Sequence, residues 1–217
     1  MNTTTGAPIR ILLVDDHTIF RSGLKRLFLD EPDVLVTGEA SNSADALALL
    51  RQHRYSLMLL DINMAGRSGL ELLALLRTES LRLPVLVLSM YSEQQYALVA
   101  IQAGAMGYLP KDAEPAELLH AIRRVAAGQH YLSAQAAPLV QRQLQGGDER
   151  PAHQRLSVRE NQIMLMLIKG VSLTDIGVEM LISVKTVSTH RSHILDKLGL
   201  GSNAELVLYA VRQGLLR

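Results

Sequence analysis

The chain has 217 residues, of which 48% are hydrophobic, and it carries a formal net charge of +1. This length allows one or two domains with packed cores. The absence of cysteine excludes disulfides, thiol nucleophiles and thiolate zinc sites, and it fits a reducing cytoplasm. No apolar run approaches the roughly 20 residues that cross a bilayer, and residues 1–8 lack a signal-peptide pattern. We therefore expect a cytoplasmic protein without membrane insertion.

The charge is divided unevenly along the chain. Residues 151–217 carry eight Lys and Arg against five Asp and Glu, a net +3, whereas residues 1–150 carry fourteen against sixteen, a net −2. An acidic first part and a basic second part fit a cation site joined to a nucleic-acid binder, although the difference is small.

The first 127 residues alternate between short apolar runs and segments with apolar side chains at helical spacing. Such runs are typical of strands buried in a parallel sheet. The predicted strands are residues 10–14, 34–36, 55–60, 83–89 and 106–109. The first two predicted helices span residues 18–29 and 43–50, and the third begins near Leu70. A capping box of Ser92 with Gln95 marks the start of the fourth, and Pro115 lies at the first position of the fifth. Five strand-helix units predict an α/β domain with a doubly wound parallel sheet.

Polar side chains stand where four of these strands end. Asp15 and Asp16 follow the first strand, Asp61 follows the third, and Ser89 and Lys111 follow the fourth and fifth. Because the carboxyl ends of parallel strands share one edge, we expect these groups to converge. Crowded carboxylates invite a divalent cation, and an all-oxygen ligand set favours Mg²⁺. Taken singly, each residue is more often a cap or a solvated side chain; together they suit phosphoryl transfer to a carboxylate.

Residues 9–127 resemble the receiver domain of two-component response regulators. The resemblance is carried by the Asp15-Asp16 pair, by Asp61 within LLDINMAGRSGLE, by Ser89, and by Tyr108 and Lys111 within GYLPKD. It implies a flavodoxin-like fold and no nucleotide cofactor. The sequence departs from the pattern at Ala65, where such receivers usually have proline.

The resemblance also implies a role for each matching residue. Asp61 would accept a phosphoryl group from a sensor histidine kinase. Asp16 would ligate Mg²⁺ directly and Asp15 through water, with Asp61 and the main-chain carbonyl of Asn63 as further ligands. Ser89 would hydrogen-bond the phosphoryl group, Tyr108 would change rotamer as Ser89 moves toward it, and Lys111 would pair with the acyl phosphate.

The pattern changes after residue 127. We interpret residues 128–154 as a linker that includes a short helix within 134–144, because 145–154 are polar and contain Gly and Pro. Residues 155–217 predict a small all-α domain of four helices. Its predicted helix starts are the capping boxes Ser157 with Glu160, Ser172 with Asp175 and Ser202 with Glu205, and a further cap at Ser183.

Residues 172–198 read as a helix-turn-helix. On the second helix we expect Val184, Val187, Ile194, Leu195 and Leu198 to face the core, and the opposite, polar side to be exposed: Lys185, Thr189, Ser192, His193 and Asp196. An ordinary solvated helix face is the alternative if this helix is considered alone. The spacing of His190 and His193 argues against a metal pair and predicts that one is partly packed and one exposed.

This region resembles the helix-turn-helix domain of the LuxR, NarL and FixJ group of transcription regulators, through LSVRENQIMLMLIKGVSLTDIG, SVKTVSTHRSHILDKLGL and NAELVLYAVRQGL. The resemblance implies binding to double-stranded promoter DNA. Phosphates would be contacted by Lys185, Thr186, Arg191 and Lys197, and base edges by Ser188, Thr189 and Ser192. Small hydroxyl side chains make few bidentate base contacts, so specificity would lean on DNA shape or water. Gly177 replaces the usual alanine at a cost of about 1 kcal/mol, unless helices approach closely there.

The resulting hypothesis is a response regulator whose phosphorylation on Asp61 controls homodimerisation and DNA binding. Two alternatives remain open. An aspartate-based phosphohydrolase would usually carry a second acid two residues after the first, where this chain has Asn63. A regulator driven by partner proteins would keep the pocket only as a vestige.

Overall fold

The computed structural model describes residues 7–64, 69–79, 82–91, 93–134, 136–144 and 151–216. The chain divides into two compact units, Met1–Gln145 and Gly146–Arg217. Each unit has its own hydrophobic core. Among the helices of the described ranges, none combines the length and apolar character that a bilayer crossing requires.

The first unit is built on a five-stranded sheet in which all strands are parallel and lie in the order β2-β1-β3-β4-β5. The strands are β1 (Ile9–Val14), β2 (Val34–Ala40), β3 (Leu57–Asp61), β4 (Val85–Ser89) and β5 (Gly107–Pro110). The predicted doubly wound α/β fold is therefore confirmed. The strand order reverses beside β1, so the carboxyl ends of β1 and β3 border the crevice where such sheets hold ligands.

The burial of each strand explains how well its extent was predicted from the sequence. Every residue of β3 and of β4 is buried, as their continuous apolar runs predict. Strand β2 lies at the edge and alternates between exposed positions and buried or half-buried ones. The predicted strand, residues 34–36, was too short. The polar residues Thr37 and Glu39 interrupt the apolar run, although both belong to the strand and lie on its solvent-exposed face.

The sheet is covered by α1 (Thr18–Leu27), α2 (Ser43–Gln52), α3 (Gly69–Thr78), α4 (Glu93–Ala103) and α5 (Pro115–Ala126). The predicted first helix ends earlier than residue 29, and a 3-10 turn follows it at Phe28–Asp30. Pro115 occupies the first turn of α5, as expected. Ser92, the predicted cap of α4, and Ala65 both lie outside the described residues, and the side chain of Gln95 is likewise not described.

The chain beyond α5 stays on the first unit. Tyr131 forms a parallel bridge with Gly107 at the outer edge of β5. Helix α6 (Ala136–Leu144) then packs against α4. Residues 145–150 of the interpreted linker lie outside the described residues.

The second unit is helical. After a 3-10 turn at Ala152–Arg155 come α7 (Val158–Ile168), α8 (Leu173–Glu179), α9 (Val184–Leu198) and α10 (Asn203–Arg212). The side chains of Ser157, Ser172, Ser183 and Ser202 all accept a hydrogen bond from a first-turn amide. These four predicted caps are confirmed.

Only one of the three capping boxes predicted for this unit is complete. Glu160 returns a hydrogen bond to the Ser157 amide over 2.7 Å. Asp175 accepts instead from the Ser172 hydroxyl, and Glu205 accepts from the Gly201 amide. The cap therefore forms at all three serines, but the reciprocal half forms at Ser157 alone.

Candidate functional site

The predicted acidic residues meet at the carboxyl edge of the sheet. Strands β1 and β3 pair directly, with Val14 opposite Leu60, so Asp15 and Asp61 leave adjacent strand ends. Both carboxylates are almost completely buried, at 1% and 2% exposure. Charges buried to this degree require compensation by the groups around them.

Glycine is required where α3 begins beside this pocket. A Cβ on Gly69 would lie 2.2 Å from the main-chain oxygen of Asp61, and the Gly69 amide donates to the Ile62 carbonyl. The start of α3 therefore lies directly against the end of β3. No larger residue fits without moving the backbone that carries Asp61.

Lys111 supplies the compensating cation. Its Nζ atom lies 2.7 Å from Oδ2 of Asp15 and 2.7 Å from Oδ2 of Asp61, and its side chain is only 4% exposed. The Lys111 amide donates to the Ser89 carbonyl, and its ammonium lies 4.7 Å from the centre of the Phe20 ring. Lys111 thus joins the ends of β1, β3 and β4 at one point.

The second oxygen of Asp61 faces the loop that follows β3. Oδ1 accepts a hydrogen bond from the Asn63 amide over 2.8 Å. Burial raises the pKa of Asp61 above its ordinary value, and this effect outweighs the opposing attraction of Lys111 and the Asn63 hydrogen bond. The ionised carboxylate is therefore only partly stabilised in this pocket.

His17 completes the acidic cluster and was missed in the sequence. Its Nδ1 atom lies 2.8 Å from Asp16, 3.1 Å from Asp15 and 3.7 Å from Asp61. Its position directly after the Asp15-Asp16 pair was the available signal. The four side chains place ligand atoms within 4.8 Å of one another, which is compatible with binding a divalent metal.

Three hydroxyl groups continue from the pocket toward β5. Ser89 Oγ accepts from the Tyr91 amide over 3.1 Å, and the Tyr108 hydroxyl donates to the Tyr91 carbonyl over 2.9 Å. The Tyr91 hydroxyl lies 3.4 Å from Oδ1 of Asn63. Tyr108 is completely buried, and burial is the main reason that its pKa is raised. The main chain of Tyr91 therefore connects Ser89 with Tyr108.

In the second unit, α9 divides into a core side and an exposed side. Val187, Ile194 and Leu195 are buried, as predicted. The exposed side also agrees with the prediction and comprises Lys185, Thr189, Ser192, His193 and Asp196. His190 is partly buried and His193 exposed, as expected.

Val184 contradicts the prediction that it faces the core. Its side chain is 44% exposed. It is the first residue of α9, just after the cap Ser183. A helical wheel assigns it to the apolar side, but at this end of the helix the core no longer covers that side.

The hydroxyl groups of Thr186, Thr189 and Ser192 form hydrogen bonds within α9 or with its cap. Thr189 donates to the Lys185 carbonyl over 3.1 Å, and Ser192 donates to the Ser188 carbonyl over 3.2 Å. Thr186 shares a 2.8 Å hydrogen bond with the Ser183 hydroxyl. Donating to a base edge would therefore replace an existing hydrogen bond, whereas each hydroxyl oxygen can still accept one from a base.

Two of the predicted phosphate contacts are engaged inside the domain. Nε of Arg191 donates to Asn203 on α10 over 2.7 Å. Nζ of Lys197 contacts both oxygens of Glu160, at 2.9 and 2.7 Å. Burial alone would raise the pKa of Glu160, but hydrogen bonds from Lys197 and Ser157 lower it below its ordinary value. Lys185 and Thr186, by contrast, lie on the exposed surface.

A close approach within the helix-turn-helix explains Gly177. A Cβ at this position would lie 2.9 Å from the main-chain oxygen of Ile182. The glycine therefore lets the turn fold back against α8, which offsets its poor helix propensity. Arg159 supports the same turn by donating to the Met180 carbonyl over 2.8 Å.

The sheet, its buried carboxylates and its lysine define a receiver domain, and the second unit is a helix-turn-helix domain. Comparison with known proteins agrees with both assignments. Residues 11–123 match the response regulator receiver domain, and residues 154–210 match the luxR family of bacterial regulatory proteins.

Proteins and structures similar along almost the whole chain have this arrangement. The response regulator UvrY of Escherichia coli (strain K12) is 35% identical over 208 residues, covering 95% of each chain. The nitrate/nitrite response regulator protein NarL of the same strain is 37% identical over 205 residues, covering 93% of this chain and 94% of NarL. The crystal structure of the response regulator ChrA, from a heme-sensing two-component system, is similar with a TM-score of 0.52 and 30% identity, covering 97% of this chain and all of ChrA.

The chain belongs to the NarL/FixJ family of two-component response regulators, with a LuxR-type DNA-binding domain. Members of this family are phosphoacceptors and transcription regulators rather than classical enzymes.

Proposed function

We propose that Asp61 accepts a phosphoryl group from a sensor histidine kinase and that this modification controls dimerisation and promoter binding. The observation that carries the proposal is the shared position of Lys111 between Asp15 and Asp61, 2.7 Å from each. An ammonium buried between two carboxylates is placed to balance the charge that a phosphoryl group adds. Because the proposed targets are chromosomal promoters, the proposed location is the cytoplasm.

In the proposed transfer, an oxygen of Asp61 forms a bond with phosphorus while the bond from phosphorus to the kinase histidine nitrogen breaks. The histidine leaves as neutral imidazole after taking up a proton, and Asp61 becomes an acyl phosphate. Lys111 pairs with the phosphoryl oxygens, and Ser89 donates a hydrogen bond to one of them. Asp15, Asp16, Asp61 and the Asn63 carbonyl are the groups that would hold Mg²⁺, which would neutralise charge on the phosphoryl oxygens.

The proposed signal leaves the pocket through Ser89. When the Ser89 hydroxyl turns toward the phosphoryl group, the Tyr91 amide loses the acceptor that it has at 3.1 Å. Tyr108 changes rotamer with this loop, because its hydroxyl is bonded to the Tyr91 carbonyl. Phosphorylation thereby shifts an equilibrium between two arrangements of the receiver.

The proposed DNA-binding element is α9. Its exposed Lys185 and Thr186 contact phosphates, and Ser188, Thr189 and Ser192 face base edges in the major groove. Arg191 and Lys197 contribute less directly, since they are engaged with Asn203 and Glu160. The active form is a symmetric homodimer on half-sites at least about one helical turn apart.

Labelling with acetyl phosphate and Mg²⁺ tests the phosphoacceptor. Intact-mass analysis of the wild type is expected to show one added phosphoryl group, and Asp61→Asn is expected to show none. Asp30→Asn, an exposed carboxylate on the same unit, is the matched control and should label normally. Continued single labelling of Asp61→Asn would reject the assignment. A steady-state phosphatase assay on the same samples separates a phosphoacceptor from a turning-over phosphohydrolase.

Salt-dependent DNA binding tests the recognition helix. Lys185→Ala is expected to weaken binding to all sequences and to lower the slope of log affinity against log salt by about 1. Lys169→Ala, an exposed lysine at the end of α7, should leave the slope unchanged. An unchanged slope for Lys185→Ala would remove Lys185 from the phosphate contacts.

A further inference from the structure

Helix α6 begins at a serine cap that lies just after the edge bridge of Tyr131. The Ser133 hydroxyl accepts from the Ala136 amide over 3.2 Å, and the Ser133 carbonyl accepts from the Ala137 amide over 3.0 Å. Helix α6 has only nine residues, a length at which an isolated helix is marginal in water. Its persistence therefore depends on its cap and on its packing against α4.

The cap itself is held by a carboxylate from α4. Oε1 of Glu93 accepts from the Ser133 amide over 3.0 Å, and Oε2 of Glu93 accepts from the Ser133 hydroxyl. In α6 itself, Ala136 and Val140 are buried, at 1% and 4% exposure. The Glu93 side chain thus accepts from both hydrogen-bond donors of Ser133, the residue that caps α6.

In the sequence, Glu93 lies only a few residues after Ser89, which belongs to the pocket. Glu93 is the first residue of α4 and follows Tyr91 by two positions. The amide of Tyr91 is bonded to Ser89 and its carbonyl to Tyr108. A shift of Tyr91 therefore displaces the start of α4 before it affects any more distant part of that helix.

We propose that Glu93 is the latch by which the pocket holds or releases the segment leading to the DNA-binding domain. This inference rests on the proposed phosphorylation of Asp61 and names the step that follows it. When Ser89 turns to the phosphoryl group, the start of α4 moves and the Glu93 carboxylate withdraws from Ser133. Helix α6 then loses its cap and detaches from α4.

Release begins after Tyr131, because that residue has separate attachments. Its amide donates to the Met106 carbonyl over 2.9 Å, its carbonyl accepts from the Tyr108 amide over 3.3 Å, and its hydroxyl donates to Glu117 over 3.0 Å. None of these contacts involves Glu93. The Tyr131 bridge should therefore stay in place while α6 opens, which provides an internal reference for the experiment.

Hydrogen exchange of the full chain tests the latch. In the wild type, beryllofluoride with Mg²⁺ is expected to speed exchange of the α6 amides at least about fivefold, the effect of losing the helix cap alone, while the Tyr131 amide is unchanged. Glu93→Ala without beryllofluoride is expected to show the faster α6 exchange already and to gain little more when it is added. Ser133→Ala should behave in the same way.

Glu114→Ala is the matched control, because Glu114 is an exposed residue of the same unit whose side chain makes no capping hydrogen bond. It should keep the wild-type exchange rates. Unchanged α6 exchange in Glu93→Ala would overturn the latch, and so would unchanged α6 exchange in a wild type that labels with acetyl phosphate. Failure of the wild type to label would instead reject the phosphorylation of Asp61 itself.

Discussion

The pocket of the receiver and the exposed side of α9 use polar residues in opposite ways. In the pocket, the side chains of Asp61 and Lys111 are buried and form a hydrogen bond with each other, although 50 residues separate them in the chain. On α9, Thr189 and Ser192 are exposed and are satisfied by carbonyls four residues away. The pocket is a tertiary structure that exists only in the folded receiver, whereas the α9 surface is complete once the helix forms.

This difference fits the two proposed tasks. A group that accepts phosphate must be held at a fixed distance from its counter-charges, because electrostatic stabilisation depends on positions set in advance. A surface that reads DNA has to form hydrogen bonds to base edges, and a hydroxyl that donates to its own helix can still accept one or turn to donate one. Four predictions test how far the contrast extends.

The largest effect is expected from Gly69→Ala. The added Cβ would lie 2.2 Å from the Asp61 carbonyl oxygen, so the backbone at the pocket has to move. We expect a loss of about 3 kcal/mol in the free energy of unfolding, measured with urea, as in severe overpacking. Gly23→Ala is the control, because the space around its Cβ is open and a helix gains about 1 kcal/mol from this change. Equal stability of the two variants would show that the pocket backbone is adaptable.

A second prediction concerns the ion pair inside the helix-turn-helix domain. Lys197→Met is expected to cost about 2 kcal/mol at neutral pH, because buried Glu160 loses a charged partner. The folded-state pKa of Glu160 is lowered, so its stabilising contribution is present above the unfolded pKa and is lost as pH falls through the folded pKa. The difference between variant and wild type should therefore shrink in acid. Thermal unfolding across pH measures it, and exposed Lys185→Met should show no such loss.

The third prediction separates stability from function in the pocket. Because burial raises the pKa of Asp61, its contribution to stability is present in acid and is lost as pH rises through its folded pKa. Asp61→Asn is therefore expected to raise the free energy of unfolding at neutral pH by about 1 kcal/mol, although we also expect it to abolish labelling. The gain should disappear in acid. Urea unfolding with a chelator present measures it, and a less stable variant at neutral pH would contradict the assigned pKa shift.

The smallest effect is expected at Tyr96, behind the pocket. Its ring stacks on Tyr91 with centroids 4.6 Å apart, and its completely buried hydroxyl has no hydrogen-bond partner in the described part of the chain. Tyr96→Phe keeps the ring and removes the unsatisfied group. We expect a stabilisation of about 0.5–1 kcal/mol, whereas Tyr108→Phe, which loses a hydrogen bond to Tyr91, should be destabilising.

The sequence predicted those parts of the molecule that depend on strand ends and on periodicity. Asp15, Asp61 and Lys111 were expected to converge because parallel strands share one carboxyl edge. The exposed residues of α9 followed from helical spacing. Both inferences use regular geometry that the backbone imposes on any suitable sequence.

Contacts between separate elements could not be predicted in this way. Lys197 was predicted as a phosphate contact, but helical spacing could not show that the fold also places it beside Glu160, 37 residues earlier. Val184 was predicted to be a core residue because a helical wheel does not show where a helix extends beyond the elements that pack against it. His17 was missed although it follows the Asp15-Asp16 pair, because its approach to Asp61 exists only after β1 and β3 pair.

The bridge at Tyr131 has a practical consequence for any attempt to study the receiver by itself. A chain cut after residue 127 would expose the Met106 carbonyl and the Tyr108 amide along an uncovered strand edge. Open edges of this kind invite pairing between molecules. Self-association of such a truncated chain would then reflect the missing strand partner rather than signalling, whereas a chain ending at residue 144 would keep the edge covered.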